Sequence, residues 1–162
     1  MDSMETQLAI IGAGPGGYVA AIRAAQRGAR VCLIERDQVG GVCLNRGCIP
    51  TKTLVASAEL YSRIKRAGEY GIAVGEARPE MARIVQRKDE VVKRLVGGVQ
   101  YLLNKNGVKL VTGAARFLSP RELAVTAAGE TIQVRAETVV IAAGTEPLVP
   151  ASFGYDGRLV LT

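Results

Sequence analysis

Two clusters of residues in this sequence have the types and spacing for chemistry. The first is Gly12-Ala13-Gly14-Pro15-Gly16-Gly17, a GxGxxG formed by Gly12, Gly14 and Gly17. In such a turn the first glycine permits the tight bend, the second lets a pyrophosphate approach the backbone, and the third lets helix pack on strand. A helix opening there offers unpaired N–H groups and the positive end of its dipole to phosphates. Glu35, eighteen positions after Gly17, stands where a carboxylate can accept from ribose hydroxyls. The plainer alternative is a glycine-rich turn with a surface glutamate. The second cluster is Gly40-Gly41-Val42-Cys43-Leu44-Asn45-Arg46-Gly47-Cys48-Ile49-Pro50-Thr51-Lys52. Cys43 and Cys48 can close a small disulfide if the turn between them brings their Cα atoms within about 7 Å. A helix N-terminus lowers a thiol's pKa, so at least one of the pair is expected as thiolate when reduced. That suits a redox disulfide; two buried structural thiols are the plainer reading. A zinc site lacks ligands, because the chain has three Cys and no His, and no metal is expected.

These clusters need elements to hold them. Gln7–Ile11 is an apolar run leading into Gly12 and reads as a buried strand. Pro15–Gly28 reads as a helix closed by Gly28, and Arg30–Glu35 as a second strand ending in the acid. Strand, helix and strand in about thirty residues make a βαβ unit. Cys32 lies inside the second strand and reads as core. Asp37–Gly47 reads as a loop. A helix is expected from Ile49 or Pro50 to about Ala67, and a longer one from Pro79 to about Asn104. On the longer helix Ile84, Val91, Leu95, Val99 and Leu102 recur at helical spacing, and its arginines and lysines read as a solvated face. Short strands follow at Val108–Thr112, Arg116–Leu118, Glu122–Thr126 and Thr131–Arg135, with turns at Ser119-Pro120 and Ala128-Gly129. Thr138–Ala142 is one more apolar strand, ending toward Gly144.

Composition narrows the chemistry. The chain has 162 residues, 48% apolar and 22% charged, the balance of a folded globular domain. The absence of His excludes a Ser-His-Asp triad, a Cys-His dyad and His-ligated metals. The net charge of +6 comes from scattered basic residues, so a nucleic-acid partner is not expected. No apolar run approaches the ~20 residues of a bilayer span, and no basic segment leads into an apolar stretch at the amino end. The expectation is a cytoplasmic protein without a membrane partner.

The segment from Gly12 through Lys52 resembles the amino-terminal part of the flavin-dependent pyridine nucleotide-disulfide oxidoreductases. GGVCLNRGCIPTK is the most specific stretch, and it is most like the branch of that family that oxidises dihydrolipoamide. Val139-Val140-Ile141-Ala142-Ala143-Gly144-Thr145 resembles the family's second flavin-contacting strand and turn. The resemblance implies an α/β, Rossmann-like FAD-binding fold: a parallel sheet plus a small antiparallel β-meander at about 113–136. Residues 1–150 would be the first segment of the FAD domain and residues 151–162 a linker. It also implies roles. Cys43 would be the interchange thiol meeting a dithiol substrate, and Cys48 the charge-transfer thiol beside the flavin. Lys52 would lie near the reactive edge of the isoalloxazine. Gly12, Gly14 and Gly17 would pass the pyrophosphate, Glu35 would hold the ribose, Ala115 would touch the adenine part, and Gly144 and Thr145 would line the dinucleotide. Arg46 stands where the family more often has a smaller or apolar residue, and Ala115 where it often has Gly.

A whole member of the family carries an NAD domain with its own GxGxxG and an interface domain with a His–Glu base. Neither a second GxGxxG nor a His occurs here. The expectation is therefore the FAD and redox-disulfide portion of an enzyme that serves cell redox chemistry and reaches NAD only through other domains. Its partners would be a lipoyl domain or lipoamide-type dithiol and a second copy or complementing polypeptide. Alone it should self-associate and form no NADH. Two alternatives remain open: a non-catalytic nucleotide-binding module, and the same family with glutathione or mercuric ion as substrate.

Overall fold

The computed structural model describes residues 3–161. Met1, Asp2 and Thr162, which fall within the expected domain and linker bounds, lie outside the described residues. In chain order the elements are β1 (Ser3–Ile11), α1 (Pro15–Gln26), β2 (Val31–Glu35), α2 (Gly41–Asn45), α3 (Cys48–Lys65), α4 (Met81–Lys105), β3 (Lys109–Thr112), β4 (Ala114–Ser119), β5 (Glu122–Ala127) and β6 (Glu130–Ile141). Short 3-10 turns occur at Ala67–Tyr70 and Ala151–Phe153.

The six strands form one sheet in the order β3-β2-β1-β6-β5-β4. β1 runs parallel to β2, with Ile10 opposite Leu33, and parallel to β6, with Ile10 opposite Val140. β3 adds a third parallel partner beyond β2. β4, β5 and the first half of β6 pair antiparallel. The expected meander is therefore present, but it continues the parallel sheet through β6.

Alternation along the strands divides the core in two. Ile10, Val31 and Leu33 face α1 and α4, packing with Ala21, Val99 and Leu103. Ala9, Cys32 and Ile34 face the other way, against Leu123, Val125, Val134 and Ala136 of the meander. Cys32 is thus core, as its place in the strand predicts. No described helix is long and apolar enough to cross a membrane.

Two local expectations change. Thr131–Arg135 and Thr138–Ala142 belong to one strand, β6. Glu137 looks like a break in the sequence, but Arg135 and Glu137 point outward while Val134 and Ala136 are buried. This is the period of two expected of a strand with one covered face. At Ala136 its N–H bonds to the Arg121 carbonyl at 2.9 Å, where the pairing with β5 ends and that with β1 continues. The second change is α2, a single helical turn within the expected loop. Gly40 and Gly41 adopt φ of +99° and +57°, left-handed values open to glycine, and wind the chain so that Leu44 is buried.

Candidate functional site

The glycine turn sits at the carboxyl ends of the parallel strands, where chain order reverses between β1 and β6. Gly12 N–H donates to the Ile34 carbonyl at 2.7 Å, and Ala142 N–H donates to Ile11 at 2.8 Å. At Gly12 (φ +101°) a Cβ would overlap the Ala142 carbonyl, and at Gly17 it would overlap the Gly12 carbonyl oxygen. The chain's own packing therefore demands glycine at both positions. Gly14 differs: a Cβ there would meet only Gly41 Cα, at an ordinary 3.9 Å. Gly14 is also the N-cap of α1, which has Pro15 in its first turn, no side-chain cap and no acidic residue near its start. The amides of that turn and the dipole's positive end are left to an outside anion. This cradle fits the pyrophosphate of a dinucleotide such as FAD.

Glu35 closes one side of the crevice. Its Oε2 accepts from Ala13 N–H at 2.7 Å and its Oε1 from Asp37 N–H at 2.9 Å. Each oxygen retains a lone pair for a hydroxyl. The Glu35 carbonyl accepts from Gly113 N–H at 2.8 Å, which ties the β3–β4 turn to the end of β2. Ala115, two residues on, is half-buried against the meander-side core and pairs with Val125. Gly144 (φ +72°) and Thr145 are exposed just beyond β6. Next to them Glu146 pairs with Arg36 at 2.9 Å, so this segment meets the end of β2.

The cysteine pair lies beside the turn. Cys43 sits in α2, half-buried against the helix-side core, and Cys48 opens α3, exposed. Both are free thiols, and Cys48 acts on the titration of Cys43. Cys43 keeps its proton above the ordinary thiol range. The largest cause is its hydrogen bond to the Cys48 sulfur, followed by burial and the charge of Cys48. The Cys48 N–H and the Lys52 ammonium pull the other way and lose. At Cys43, then, the upward pull of its neighbour outweighs the lowering that the sequence suggests for a thiol at a helix start. Lys52 is exposed, one turn of α3 beyond Cys48. Burial pushes the Cys32 thiol up to about 11, which marks it as inert.

Several residues take parts that the sequence does not assign. Ala13 is fully buried, and its peptide bonds both Glu35 and Gly40. Asn45 Nδ2 donates to the Val39 and Gly41 carbonyls at 3.1 and 2.9 Å and so anchors α2. The Arg46 guanidinium pairs with the Asp37 carboxylate. The Gly40-Gly41 doublet was the one visible signal, since adjacent glycines mark left-handed turns and close backbone approach.

Comparison with known proteins agrees with this arrangement. The sequence profile described as "Pyridine nucleotide-disulphide oxidoreductase" matches residues 6–160. A dihydrolipoyl dehydrogenase of Acholeplasma laidlawii is 44% identical over 99% of this chain and 48% of its own length. One from Bacillus subtilis is 44% identical over 95% of this chain and 34% of its own. Among solved structures, the Cu(II) complex of the HOCl-induced flavoprotein disulfide reductase RclA from Escherichia coli superposes with a TM-score of 0.76 at 32% identity. That match covers 90% of this chain and 30% of RclA. The chain thus spans between a third and a half of the length of these curated relatives.

Proposed function

The chain belongs to the pyridine nucleotide-disulphide oxidoreductase family, and we propose that it is the FAD-binding, redox-thiol portion of a flavoprotein that oxidises dihydrolipoamide. One observation carries the reading: an uncapped helix N-terminus, a glycine with no packing reason to be glycine, and a facing carboxylate lie beside two free cysteines at adjoining helix starts. The dihydrolipoyl dehydrogenases among its relatives, and the GGVCLNRGCIPTK stretch, favour lipoamide over glutathione or mercuric ion.

In this reading the amides of α1 and Gly14 hold the pyrophosphate, and Glu35 holds the adenosine ribose. Ala115 meets the adenine part through its backbone, Gly144 and Thr145 line the dinucleotide, and Lys52 lies toward the flavin ring. Bound FAD supplies two-electron acceptance from the thiol pair and delivery to a nicotinamide. The chain's own part is thiol–disulfide exchange. A substrate thiolate attacks Cys43 of the oxidised pair; the substrate–Cys43 bond forms and the Cys43–Cys48 bond breaks. The helix start of α3 favours negative charge on the departing Cys48 sulfur. The second substrate thiol then displaces Cys43 and closes the lipoamide disulfide. Two electrons have moved from substrate to the pair; one substrate proton was released when the attacking thiolate formed, and the other passes to the departing Cys43 sulfur. In the reduced pair the neighbouring Cys48 sulfur and burial hold the Cys43 thiol above the ordinary thiol range.

NADH formation would need a nicotinamide domain and a base of the kind the family carries elsewhere, so we expect it only when other polypeptide supplies them. A lipoyl domain as electron donor and a second copy as dimer partner belong to the same proposal.

The test is to equilibrate the chain with a dihydrolipoamide/lipoamide buffer and map its peptides by mass. The reading predicts a Cys43–Cys48 bridge that appears and disappears with buffer poise. It also predicts that Cys48→Ser leaves Cys43 unbridged at every poise, because the second substrate thiol displaces Cys43 and no resolving thiol remains. Two thiols that stay unbridged at every poise would refute it.

A further inference from the structure

The Ala13 peptide joins the two halves of the site. Its N–H donates to Glu35 Oε2 at 2.7 Å, and its carbonyl accepts from Gly40 N–H at 2.8 Å. Ala13 is fully buried, so losing either bond would strand a buried polar group. One residue further, backbone meets backbone: a Cβ on Gly41 would lie 2.7 Å from Gly14 Cα. Gly41 is the first residue of α2, and Cys43 is the third. Asn45 clamps the Val39 and Gly41 carbonyls, so α2 and the turn before it move as one piece. A further link runs around the outside. Asp37 gives its N–H to the other Glu35 oxygen, while its carboxylate holds Arg46 at the end of α2.

We propose that Gly41 is a positioning residue: through its contact with Gly14 and the Gly40–Ala13 hydrogen bond, an adenosine diphosphate group on the glycine turn is felt at the Cys43 thiol. The inference rests on the reading of that turn as a dinucleotide site. A diphosphate seated on the α1 amides fixes the Ala13-Gly14 backbone. Gly41, lying against Gly14 without a side chain, leaves α2 no slack to move independently. The Cys43 sulfur meets Cys48 through that geometry, so a fixed turn means a fixed thiol pair. Coupling is reciprocal: if nucleotide changes thiol–disulfide equilibrium, disulfide formation changes nucleotide affinity by the same factor.

ADP is the suitable probe, because it carries ribose and diphosphate but no ring system able to cover the thiols. Reduced chain is alkylated with iodoacetamide, with and without saturating ADP, and Cys43 modification is followed by peptide mass. The expected result is slowing of Cys43 alkylation by about fivefold, and, as a separate equilibrium readout, ADP affinity that differs by about fivefold or more between oxidised and reduced chain. In Gly41→Ala, ADP should still bind while its effect on Cys43 falls to about twofold or less. Asn45→Ala adds no atom, frees α2 from its clamp and should show the same loss, which keeps the test open if Gly41→Ala does not fold. ADP that binds by calorimetry yet leaves the Cys43 rate unchanged overturns the inference. ADP that does not bind at all overturns instead the dinucleotide reading of the turn, and the inference falls with it.

Discussion

The carboxyl edge of the sheet and the α3–α4 helix pair are both apolar in sequence, but they are packed very differently. At the edge, Ile10 and Leu33 are fully buried and Gly12 and Gly17 have no room for a methyl group. In the helix pair, α3 buries only Thr53 and α4 only Val99 and Leu103. Leu60, Met81 and Tyr101 are each 60% exposed or more. A groove of about 420 Å³ runs between the helices over Leu60, Tyr61, Ile64 and Ile84. The difference shows that periodicity makes a helix but does not decide what covers it. The edge positions atoms for binding because its neighbours leave no alternative; the helices hold apolar surface that this chain does not fill.

The largest effect should come from breaking the edge. Gly17→Ala drives a methyl into the Gly12 carbonyl and should cost about 3 kcal/mol or more. Gly14→Ala should change stability by less than about 0.5 kcal/mol, because its Cβ meets only Gly41 Cα at 3.9 Å. Urea unfolding of the two variants separates a glycine kept for packing from one kept for a ligand.

A matched pair of leucines sharpens the comparison. Leu33→Ala should cost about 2–3 kcal/mol, since Leu33 is fully buried in the helix-side core. Leu60→Ala should be nearly neutral in folding, yet should reduce concentration-dependent association in sedimentation, because Leu60 is 60% exposed on the groove. Equal destabilisation by both would erase the distinction between the two regions.

A smaller effect follows from Cys32. Its thiol is raised from 9.0 to about 11, so on alkaline titration the unfolded chain loses this proton first. The stability it lends is present below pH 9 and lost as pH rises toward 11, about 3 kcal/mol in all. Cys32→Ala should flatten that part of the stability–pH curve, and Cys32 should resist alkylation until the chain unfolds.

Much of this was legible because local signals and tertiary packing agree. The strand–Gly12–helix–Glu35 series was legible because its periods and glycine spacing are local, although the space that demands glycine at Gly12 is set by the distant Ala142 carbonyl. The βαβ unit, the long helices and the turn at Ala128-Gly129 follow from period and punctuation for the same reason. What escaped depends on long-range partners. β6 looked like two strands because β5 pairs only its first half, through Arg135, while β1 lies beside it from Gln133 to Ile141. α2 looked like a loop because five residues are too short for a period, and its helicity comes from two left-handed glycines and the Asn45 clamp. The proton on Cys43 depends on where Cys48 lies across the turn, which spacing alone does not give.

The most direct test of the central claim is a flavin titration of the isolated chain, read by calorimetry, in wild type, Gly14→Ala and Glu35→Ala. The account predicts saturable FAD binding that is stronger than NAD binding and falls about tenfold or more in Gly14→Ala while its unfolding midpoint stays at the wild-type value. It also predicts weaker binding in Glu35→Ala, where the carboxylate facing the turn is gone. Equal FAD affinity in all three proteins, or a preference for NAD, would contradict it.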